Sequence, residues 1–367
     1  MALQTGMVGL TNVGKTTLFN ALTSSDIEPS NYTFATIEPN KAVVNVPDPR
    51  VDEIFDQGNT SRKVYNTLDV VDIAGLIRGA AKGEGLGNKF LADIRQVDAV
   101  LHVVRCFEDE NVVHVDNSVN PIRDIETIET ELIIKDLETV VKRIEKNVKL
   151  IRAQDKNAMA MAPLYDKMKA CLEDLTHPRT LNLSETEMAS LADLNLITLK
   201  PQIIVCNISE EELMSKKPSE FTLAATRYAE EQNCAAIAIC GKVEAEIAQL
   251  EDEEKAAFLE EYGLEEPGLN ALLKKAYTLL GLSTFLTEGE IEVRAWNIKA
   301  GMLAPQAAGV IHTDFEKKFI KAEVISYDDF RACGFSRTEA KKRGLARLEG
   351  KTYSVQDGDV IIFRSGQ

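Results

Sequence analysis

The segment Gly9–Thr16 near the N-terminus has the residue spacing G-x-x-x-x-G-K-[ST]. Its glycines let the backbone curl so that successive N–H groups point at phosphate oxygens. Lys15 would then reach the outer phosphates, and the Thr16 hydroxyl would ligate Mg²⁺. An apolar segment precedes the loop and a helical pattern follows it, so a helix N-terminus adds its dipole to the anion site. The motif therefore predicts a nucleoside triphosphate site with contacts from Asn12, Val13, Gly14, Lys15, Thr16 and Thr17.

A second chemical signal is Asp72-Ile73-Ala74-Gly75, which follows the apolar segment 65–71. In P-loop proteins a carboxylate at the end of a buried strand orients Mg²⁺, and a nearby glycine N–H senses the γ-phosphate. Residues 76–89 then contain glycines at positions 79, 83, 85 and 87. This composition suits an ordinary surface loop, but its place after the carboxylate favours a switch segment that nucleotide orders.

The elements that must position these residues alternate between strand and helix patterns. Buried-strand patterns cover residues 42–46, 65–71, 99–104, 202–206 and 235–240, which predicts an α/β fold with a doubly wound, P-loop nucleotide-binding domain. From Asp124 to Ile151, apolar residues recur at steps of three and four, which predicts a long amphipathic helix. A bend at 159–163 and a return helix over about 164–175 complete an inserted, coiled-coil-like helical hairpin. The hairpin either packs on itself or projects toward a partner.

The last part of the chain has a different pattern. Short strand patterns at 290–298, 318–326, 353–355 and 360–364 predict a small α+β module. The predicted domains are therefore a nucleotide-binding domain of residues 1–123 and 200–282, a helical domain of residues 124–199, and a C-terminal module of residues 283–367. A basic cluster in this module is either a solvated helix face or an RNA-facing patch: Arg337, Lys341, Lys342, Arg343, Arg347 and Lys351.

Composition restricts the partners and the compartment. The formal net charge is −16, which argues against DNA as a partner. No apolar segment approaches the length of a membrane span, so no membrane partner is expected. The six cysteines are scattered without metal-ligand spacing, which is typical of a protein of the reducing cytoplasm.

Taken together, these segments resemble the Obg-related translation-factor GTPases, and within them the YchF-type Obg-like ATPases. The resemblance covers essentially the whole chain, including Gly83–Asn88 and the segment Ala304–Phe315, which is similar to the signature of a C-terminal TGS domain of β-grasp fold. It implies that Lys15 contacts the β- and γ-phosphates, that Thr16 and Thr36 ligate Mg²⁺, and that Asp72 and Gly75 supply the metal-linked and γ-phosphate contacts. Thr33 stands where the family usually has proline.

The base depends on Asn207-Ile208-Ser209-Glu210. GTPases of this class have Asn-Lys-x-Asp, whose aspartate accepts hydrogen bonds from guanine. Adenine lacks these donors, so the aspartate would lie unpaired beside it at a cost of about 1–3 kcal/mol. Here Ile208 replaces the lysine and Glu210 the aspartate, which favours ATP over GTP and matches the Asn-x-x-Glu pattern of the family. We expect Asn207, Ile208 and Glu210 to contact the base.

The residues around the reacting phosphate suggest slow hydrolysis. Ras-like enzymes position the attacking water with a glutamine directly after Asp-x-x-Gly, whereas this chain has Leu76. The resemblance implies that His114 serves instead, although a lone histidine is more often structural. It also implies that Asn12 coordinates an activating K⁺. His114 and Lys15 are therefore the candidate catalytic residues, with Mg²⁺ and K⁺ as the expected ions.

Three functions agree with these patterns. The first is an ATP-hydrolysing switch, for which the resemblance implies the ribosome, through its large subunit, as partner and a role in translation or stress regulation. RNA could contact such a protein through its TGS domain. The second is a nucleotide-gated adaptor for RNA or protein, with GTP or mixed specificity and incidental hydrolysis. A metabolic kinase is the weakest, because the helical insertion and the C-terminal module offer no acceptor pocket.

Overall fold

The structure is a computed structural model, and it describes residues 3–24, 40–58, 60–73, 86–112, 114 and 118–366. By their internal contacts the residues divide into two compact units. The first unit is Met1–Val43 with Asp69–Leu272, and the second is Val44–Leu68 with Leu273–Gln367. Within the described ranges, no helix has the length and apolar character that a membrane crossing needs.

The described residues form strands and helices that alternate along the chain. The strands are β1 Gln4–Val8, β2 Lys41–Val46, β3 Arg62–Val64, β4 Asn66–Asp72, β5 Ala99–Arg105, β6 Gln202–Asn207, β7 Ala235–Ile239, β8 Leu282–Glu288, β9 Glu292–Lys299, β10 Phe319–Ser326, β11 Arg347–Glu349 and β12 Asp359–Ser365. The helices are α1 Lys15–Ser24, α2 Pro49–Gln57, α3 Leu86–Gln96, α4 Pro121–Arg152, α5 Lys156–Glu173, α6 Glu185–Leu191, α7 Glu210–Ser215, α8 Glu220–Glu231, α9 Gly241–Ile247, α10 Asp252–Glu261, α11 Gly268–Leu279, α12 Ala304–Ile311, α13 Thr313–Lys317, α14 Tyr327–Ala332 and α15 Arg337–Lys342.

A six-stranded sheet with the order β2-β4-β1-β5-β6-β7 positions the predicted site. The pairs β1–β4, β1–β5, β5–β6 and β6–β7 are parallel. Every residue of β5 and β6 is buried, as expected of central strands covered on both faces. Parallel strands bring their carboxyl ends to one edge, where doubly wound sheets bind ligands. Val8, Asp72, Asn207 and Ile239 end their strands at this edge, which confirms the predicted α/β fold.

The helical insertion begins with α4, whose 32 residues extend over about 48 Å. Asn120 caps its N-terminus by accepting a hydrogen bond from the Arg123 N–H. Helix α5 packs against α4 through an apolar cluster: Ile133, Val140, Tyr165, Met168, Leu172, Leu191, Leu194 and Leu196. The prediction of a long helix followed by a return helix is confirmed.

The predicted bend at 159–163 is wrong, because α5 starts at Lys156 and continues through Pro163. The chain turns earlier, at Gln154, which has a φ of 62°. Asp155 then caps α5 by accepting a hydrogen bond from the Ala158 N–H at 2.8 Å. An interior proline costs a helix about 3 kcal/mol. The cap and the apolar packing of α5 on α4 offset this cost.

The second unit contains a mixed sheet with the order β11-β10-β12-β8-β9-β3. Neighbouring residues of β8 point to opposite faces: Phe285 belongs to one apolar cluster, with Ile298 and α12, and Leu286 to another, with Val293 and Phe330. The predicted C-terminal α+β module is confirmed. The alternation patterns missed β8 and β11.

Residues 353–355 were predicted as a strand, and this prediction is wrong. They form only a single bridge between Ser354 and Leu303. The Tyr353 hydroxyl and the Gln356 N–H both donate to Asp359 Oδ2, at 2.7 and 2.9 Å. These bonds close a turn before β12, so the segment cannot extend along a neighbouring strand.

The segment Val44–Leu68 belongs to the second unit, whereas the predicted domain boundaries assign it to the nucleotide-binding domain. Arg50 donates to Asp357 Oδ2 at 2.6 Å, and Asn66 Nδ2 donates to Thr284 Oγ1 at 2.9 Å. The second unit is thus built from two stretches that lie far apart in the sequence.

Candidate nucleotide site

The loop between β1 and α1 has the backbone that its glycines predict. Gly14 adopts a φ of 93°, and Asn12 one of 61°. A Cβ on Gly9 would lie 2.7 Å from the Val103 carbonyl oxygen, so any side chain there would displace the loop. Helix α1 follows at once, and the first N–H groups of a helix have no intrahelical acceptor. Loop and helix therefore form an anion site at the carboxyl edge of the sheet.

Lys15 and Asp72 meet at this edge. The ammonium group of Lys15 donates to Asp72 Oδ1, and both side chains are largely buried. Thr16 and Thr17 follow in the first turn of α1 and are exposed. The structure brings Lys15 and Asp72 into contact, and the metal role of Thr16 stays a prediction.

Asn207, at the end of β6, ties the phosphate loop to the neighbouring strand–helix unit. Its Nδ2 donates to the Val13 carbonyl oxygen at 2.8 Å, and its Oδ1 accepts from the Gly241 N–H at 2.9 Å. The side chain is 4% exposed. A Cβ on Gly14 would lie 2.1 Å from Asn207 Nδ2, so the close approach of loop and asparagine requires glycine here. Asn207 is therefore a buried brace of the phosphate loop.

Glu210 lies at the start of α7, and its carboxylate is held on both sides. The Tyr262 hydroxyl donates to Oε1 and the Lys242 ammonium to Oε2, each at 2.6 Å. The hydrogen bonds from Lys242 and Tyr262 lower the pKa of Glu210, so the group is anionic at neutral pH. The reciprocal bond raises the pKa of Tyr262 to about 12.

Ile208 has a different environment. It is 5% exposed and packs in the apolar cluster that also contains Cys106, Cys206 and Cys240. Its N–H donates to the Ile239 carbonyl oxygen at 3.0 Å, which ties β6 to β7. The structure therefore places Ile208 inside the core beside Asn207, and base contact by its side chain stays a prediction.

His114 is 5% exposed and lies against the start of α4. Its Nε2 is hydrogen-bonded to Asp124 Oδ2 at 2.8 Å, and Arg123 donates to the other oxygen of this carboxylate at 3.0 and 3.1 Å. Arg105 is fully buried at the end of β5. It donates to the carbonyl oxygens of three residues of the loop that follows, 107, 109 and 112. A cavity of about 530 Å³ opens beside this group and is lined by Arg105, Glu108, Asp109, Glu110, Val112, His114, Ser118 and Val119.

Some predicted site residues lie outside the described part of the chain: Thr36, Gly75 and Leu76. Sequence reasoning missed three residues that contact predicted ones, Asp124, Lys242 and Tyr262. Lys242 follows Gly241 at the start of the helix after β7, a position that could have signalled a role at the carboxyl edge. Tyr262 is 52 residues from Glu210, and no pattern in the sequence connects the two.

The geometry suits binding and hydrolysis of a nucleoside triphosphate. The loop and the helix N-terminus provide N–H donors, Lys15 a cation, and Thr16 and Asp72 oxygen ligands. Within the described residues, no group of three or more His, Cys, Asp or Glu side chains could hold a metal by itself. In nucleotide sites Mg²⁺ is held by one or two protein side chains together with the phosphates.

Two family models match the chain. One is described as a 50S ribosome-binding GTPase and matches residues 4–150. The other is YchF-GTPase_C, described as a protein of unknown function, and matches residues 282–366.

Full-length relatives give the same result. The chain is 49% identical over 364 residues to the ribosome-binding ATPase YchF of Bacillus subtilis, and 46% identical over 364 residues to that of Haemophilus influenzae; each comparison covers 99% of both chains. The solved structure of the Schizosaccharomyces pombe YchF GTPase superposes with a TM-score of 0.89 at 35% identity, covering 99% of this chain and 97% of that one. The similarity thus includes both units.

Proposed function

The chain belongs to the YchF family, and we propose that it is an ATP-hydrolysing molecular switch that binds the ribosome and regulates translation or the stress response. The observation that carries the proposal is the paired Lys15 and Asp72 beside a complete phosphate loop. Bacterial relatives are named as ribosome-binding ATPases, which supports both the reaction and the partner. We place the protein in the cytoplasm.

In this function Lys15 would contact the nucleotide. In the structure its ammonium group pairs with Asp72, so neither charge is buried alone. With ATP bound, Lys15 would donate to the β- and γ-phosphates, and the Asp72 carboxylate would help to hold the metal. Thr16 and Asp72, with Thr36, would hold Mg²⁺, whose positive charge would offset the negative charge of the phosphates. Gly75 would contact the γ-phosphate with its N–H group.

The attacking water needs a group that orients it, because Leu76 has no polar atom on its side chain. We assign this role to His114, which would have to leave its bond with Asp124 or act through its other ring nitrogen. Asn12, with its left-handed backbone in the phosphate loop, is the proposed ligand for K⁺.

We propose adenine as the base. Asn207 and Glu210 lie at the carboxyl edge beside the phosphate loop, and Glu210 differs from the aspartate that selects guanine. Relatives are named as ATPases and, in one case, as a GTPase, so direct measurement of ATP and GTP binding tests the assignment. RNA of the ribosome is the proposed ligand of the C-terminal unit and its basic cluster.

The test is steady-state turnover of ATP with and without ribosomes or isolated large subunits. We expect slow intrinsic hydrolysis, stimulation by ribosomes, and loss of turnover in a Lys15→Ala variant. The matched control is Lys217→Ala, because Lys217 is an exposed lysine outside the site.

One outcome would replace the switch with the adaptor function. It is ATP-dependent binding to ribosomes that Lys15→Ala leaves intact, together with turnover that ribosomes do not change. Replacing K⁺ by Na⁺ in the same assay tests Asn12, and unchanged turnover would refute a K⁺ site.

A further inference from the structure

Glu210 occupies the position at which related GTPases carry the guanine-selecting aspartate, yet its carboxylate already has two donors within the protein. Tyr262 donates to one oxygen and Lys242 to the other, both at 2.6 Å. These donors come from different elements, since Lys242 lies in α9 and Tyr262 follows α10. We refer to Glu210, Lys242 and Tyr262 as the carboxylate clamp.

We propose that the carboxylate clamp determines the base preference of the nucleotide site, with Tyr262 and Lys242 as specificity-determining residues that favour adenine over guanine. The inference rests on the proposed function, because it assigns a role within the nucleotide site.

The clamp is fixed next to the phosphate loop through Asn207. This side chain binds the Val13 carbonyl oxygen on one side and the Gly241 N–H on the other. Lys242 follows Gly241 directly, and Glu210 lies three residues after Asn207. The clamp therefore lies at the same carboxyl edge as the phosphate loop, where a base attached to the bound triphosphate would lie.

Hydrogen bonding of the Glu210 carboxylate within the protein changes the relative affinity of the site for guanine and adenine. Guanine presents two donors, N1–H and the 2-amino group, to a carboxylate at this position, and adenine presents neither. A carboxylate without other partners would accept hydrogen bonds from guanine and so favour its binding. Beside adenine the same carboxylate would be left unpaired. In the clamp, Tyr262 and Lys242 satisfy the carboxylate before any base arrives. Adenine then leaves no charge unpaired, and guanine gains less because Lys242 neutralises the charge.

The two donors contribute differently. Tyr262 is 8% exposed, and its ring packs against Phe258 with 4.9 Å between the ring centroids. Its hydroxyl is therefore held in place, and its raised pKa keeps it protonated as a donor near neutral pH. The Lys242 side chain is 68% exposed, and an ion pair at the surface contributes little free energy, so Lys242 holds the Glu210 carboxylate only weakly. We expect removal of the Tyr262 hydroxyl to have the larger effect.

The experiment measures the dissociation constants of ATP and GTP by calorimetry for the full chain and for the variants Tyr262→Phe, Lys242→Met and the double variant. The quantity compared is the ratio Kd(GTP)/Kd(ATP), in which a partly unfolded fraction cancels. We expect the ratio to fall by about tenfold in the double variant, through weaker ATP binding and stronger GTP binding. Tyr262→Phe keeps the ring, so its packing with Phe258 is retained.

The controls remove the same groups elsewhere. Tyr165→Phe removes a hydroxyl from another buried tyrosine, in the helical insertion, and Lys217→Met removes an exposed lysine; both should leave the ratio unchanged. In a Glu210→Gln background the clamp variants should no longer shift the ratio, because the carboxylate through which they act is gone.

An unchanged ratio in the double variant would overturn the proposal, as would an equal shift in the Glu210→Gln background. If the unaltered chain bound neither ATP nor GTP, the proposed function itself would fail, and this result is distinct from both others.

Discussion

The brace formed by Asn207 offers a sharp test of how the phosphate loop is held. In an Asn207→Ala variant, the Val13 carbonyl oxygen loses the donor at 2.8 Å and the Gly241 N–H loses its acceptor at 2.9 Å. Both groups belong to buried residues. Leaving a buried polar group unsatisfied costs about 1–3 kcal/mol, so we expect a loss of about 2–6 kcal/mol in the free energy of unfolding of the first unit. Water entering the vacated space would bring the value toward the lower end.

The measurement is urea unfolding monitored by two spectroscopic signals. Trp296 is the sole tryptophan of the chain and lies in β9 of the second unit, so its fluorescence follows that unit, whereas far-UV circular dichroism follows both. The loss should appear in the circular dichroism transition. Asn157→Ala, at an exposed position of α5, is the control and should stay within about 0.5 kcal/mol of the unaltered chain.

A charge change at the same position separates the two bonds of the brace. Asn207→Asp keeps an acceptor for the Gly241 N–H but places a carboxylate oxygen against the Val13 carbonyl oxygen. Both variants should weaken ATP binding because the phosphate loop loses its brace, and we expect Asn207→Asp to weaken it at least as much as Asn207→Ala. An unchanged urea midpoint in Asn207→Ala would refute the reasoning, since the two bonds would then contribute nothing to stability.

Three further predictions concern protons and metal. His102 accepts from Gln202 Nε2 in its neutral form, and burial lowers its pKa from 6.5 to about 4. Because the pKa of His102 is lower in the folded than in the unfolded chain, its contribution to the free energy of unfolding is complete above pH 6.5. This contribution is lost as the pH falls toward 4, by about 3 kcal/mol at most. The urea midpoint measured against pH should fall over this range, and the fall should be absent in His102→Gln. His114→Ala should lower ATP turnover by about 100-fold with little change in the Kd for ATP, and Asp124→Asn should lower turnover less; unchanged rates in single-turnover assays would exclude both residues from the reaction. Chelation of Mg²⁺ should abolish turnover and excess Mg²⁺ should restore it, and hydrolysis that persists in excess chelator would contradict the metal site.

The parts of the fold that follow local rules could be predicted from the sequence. The phosphate loop depends on glycines at fixed positions, and Asp72 on its place at the end of an apolar strand. The capping box of α6 follows the local spacing S-x-x-E: the Glu187 N–H donates to Ser184 Oγ, and the Ser184 N–H donates to Glu187 Oε2. Each of these signals lies within a few residues of the feature that it predicts.

The parts that depend on contacts between distant segments could not be predicted. Tyr262 reaches Glu210 across 52 residues. Residues 44–68 belong with the C-terminal stretch because Arg50 meets Asp357 across 307 residues. Helix α5 continues through Pro163 because packing on α4 outweighs a local preference that the sequence displays plainly. Contacts of this kind produce no periodic pattern in the sequence, so local sequence patterns cannot predict them.

The double origin of the second unit has a practical consequence and a consequence for chain connectivity. A fragment starting near residue 282 would lack α2, β3 and the partners of Thr284 and Asp357, so it is not a self-contained piece for isolated study. The excursion 44–68 is also bounded in sequence by the segments that contain Thr36 on one side and Gly75 on the other. Along the chain it therefore links the neighbourhood of a predicted Mg²⁺ ligand to that of a predicted γ-phosphate contact, and this link is itself part of the second unit.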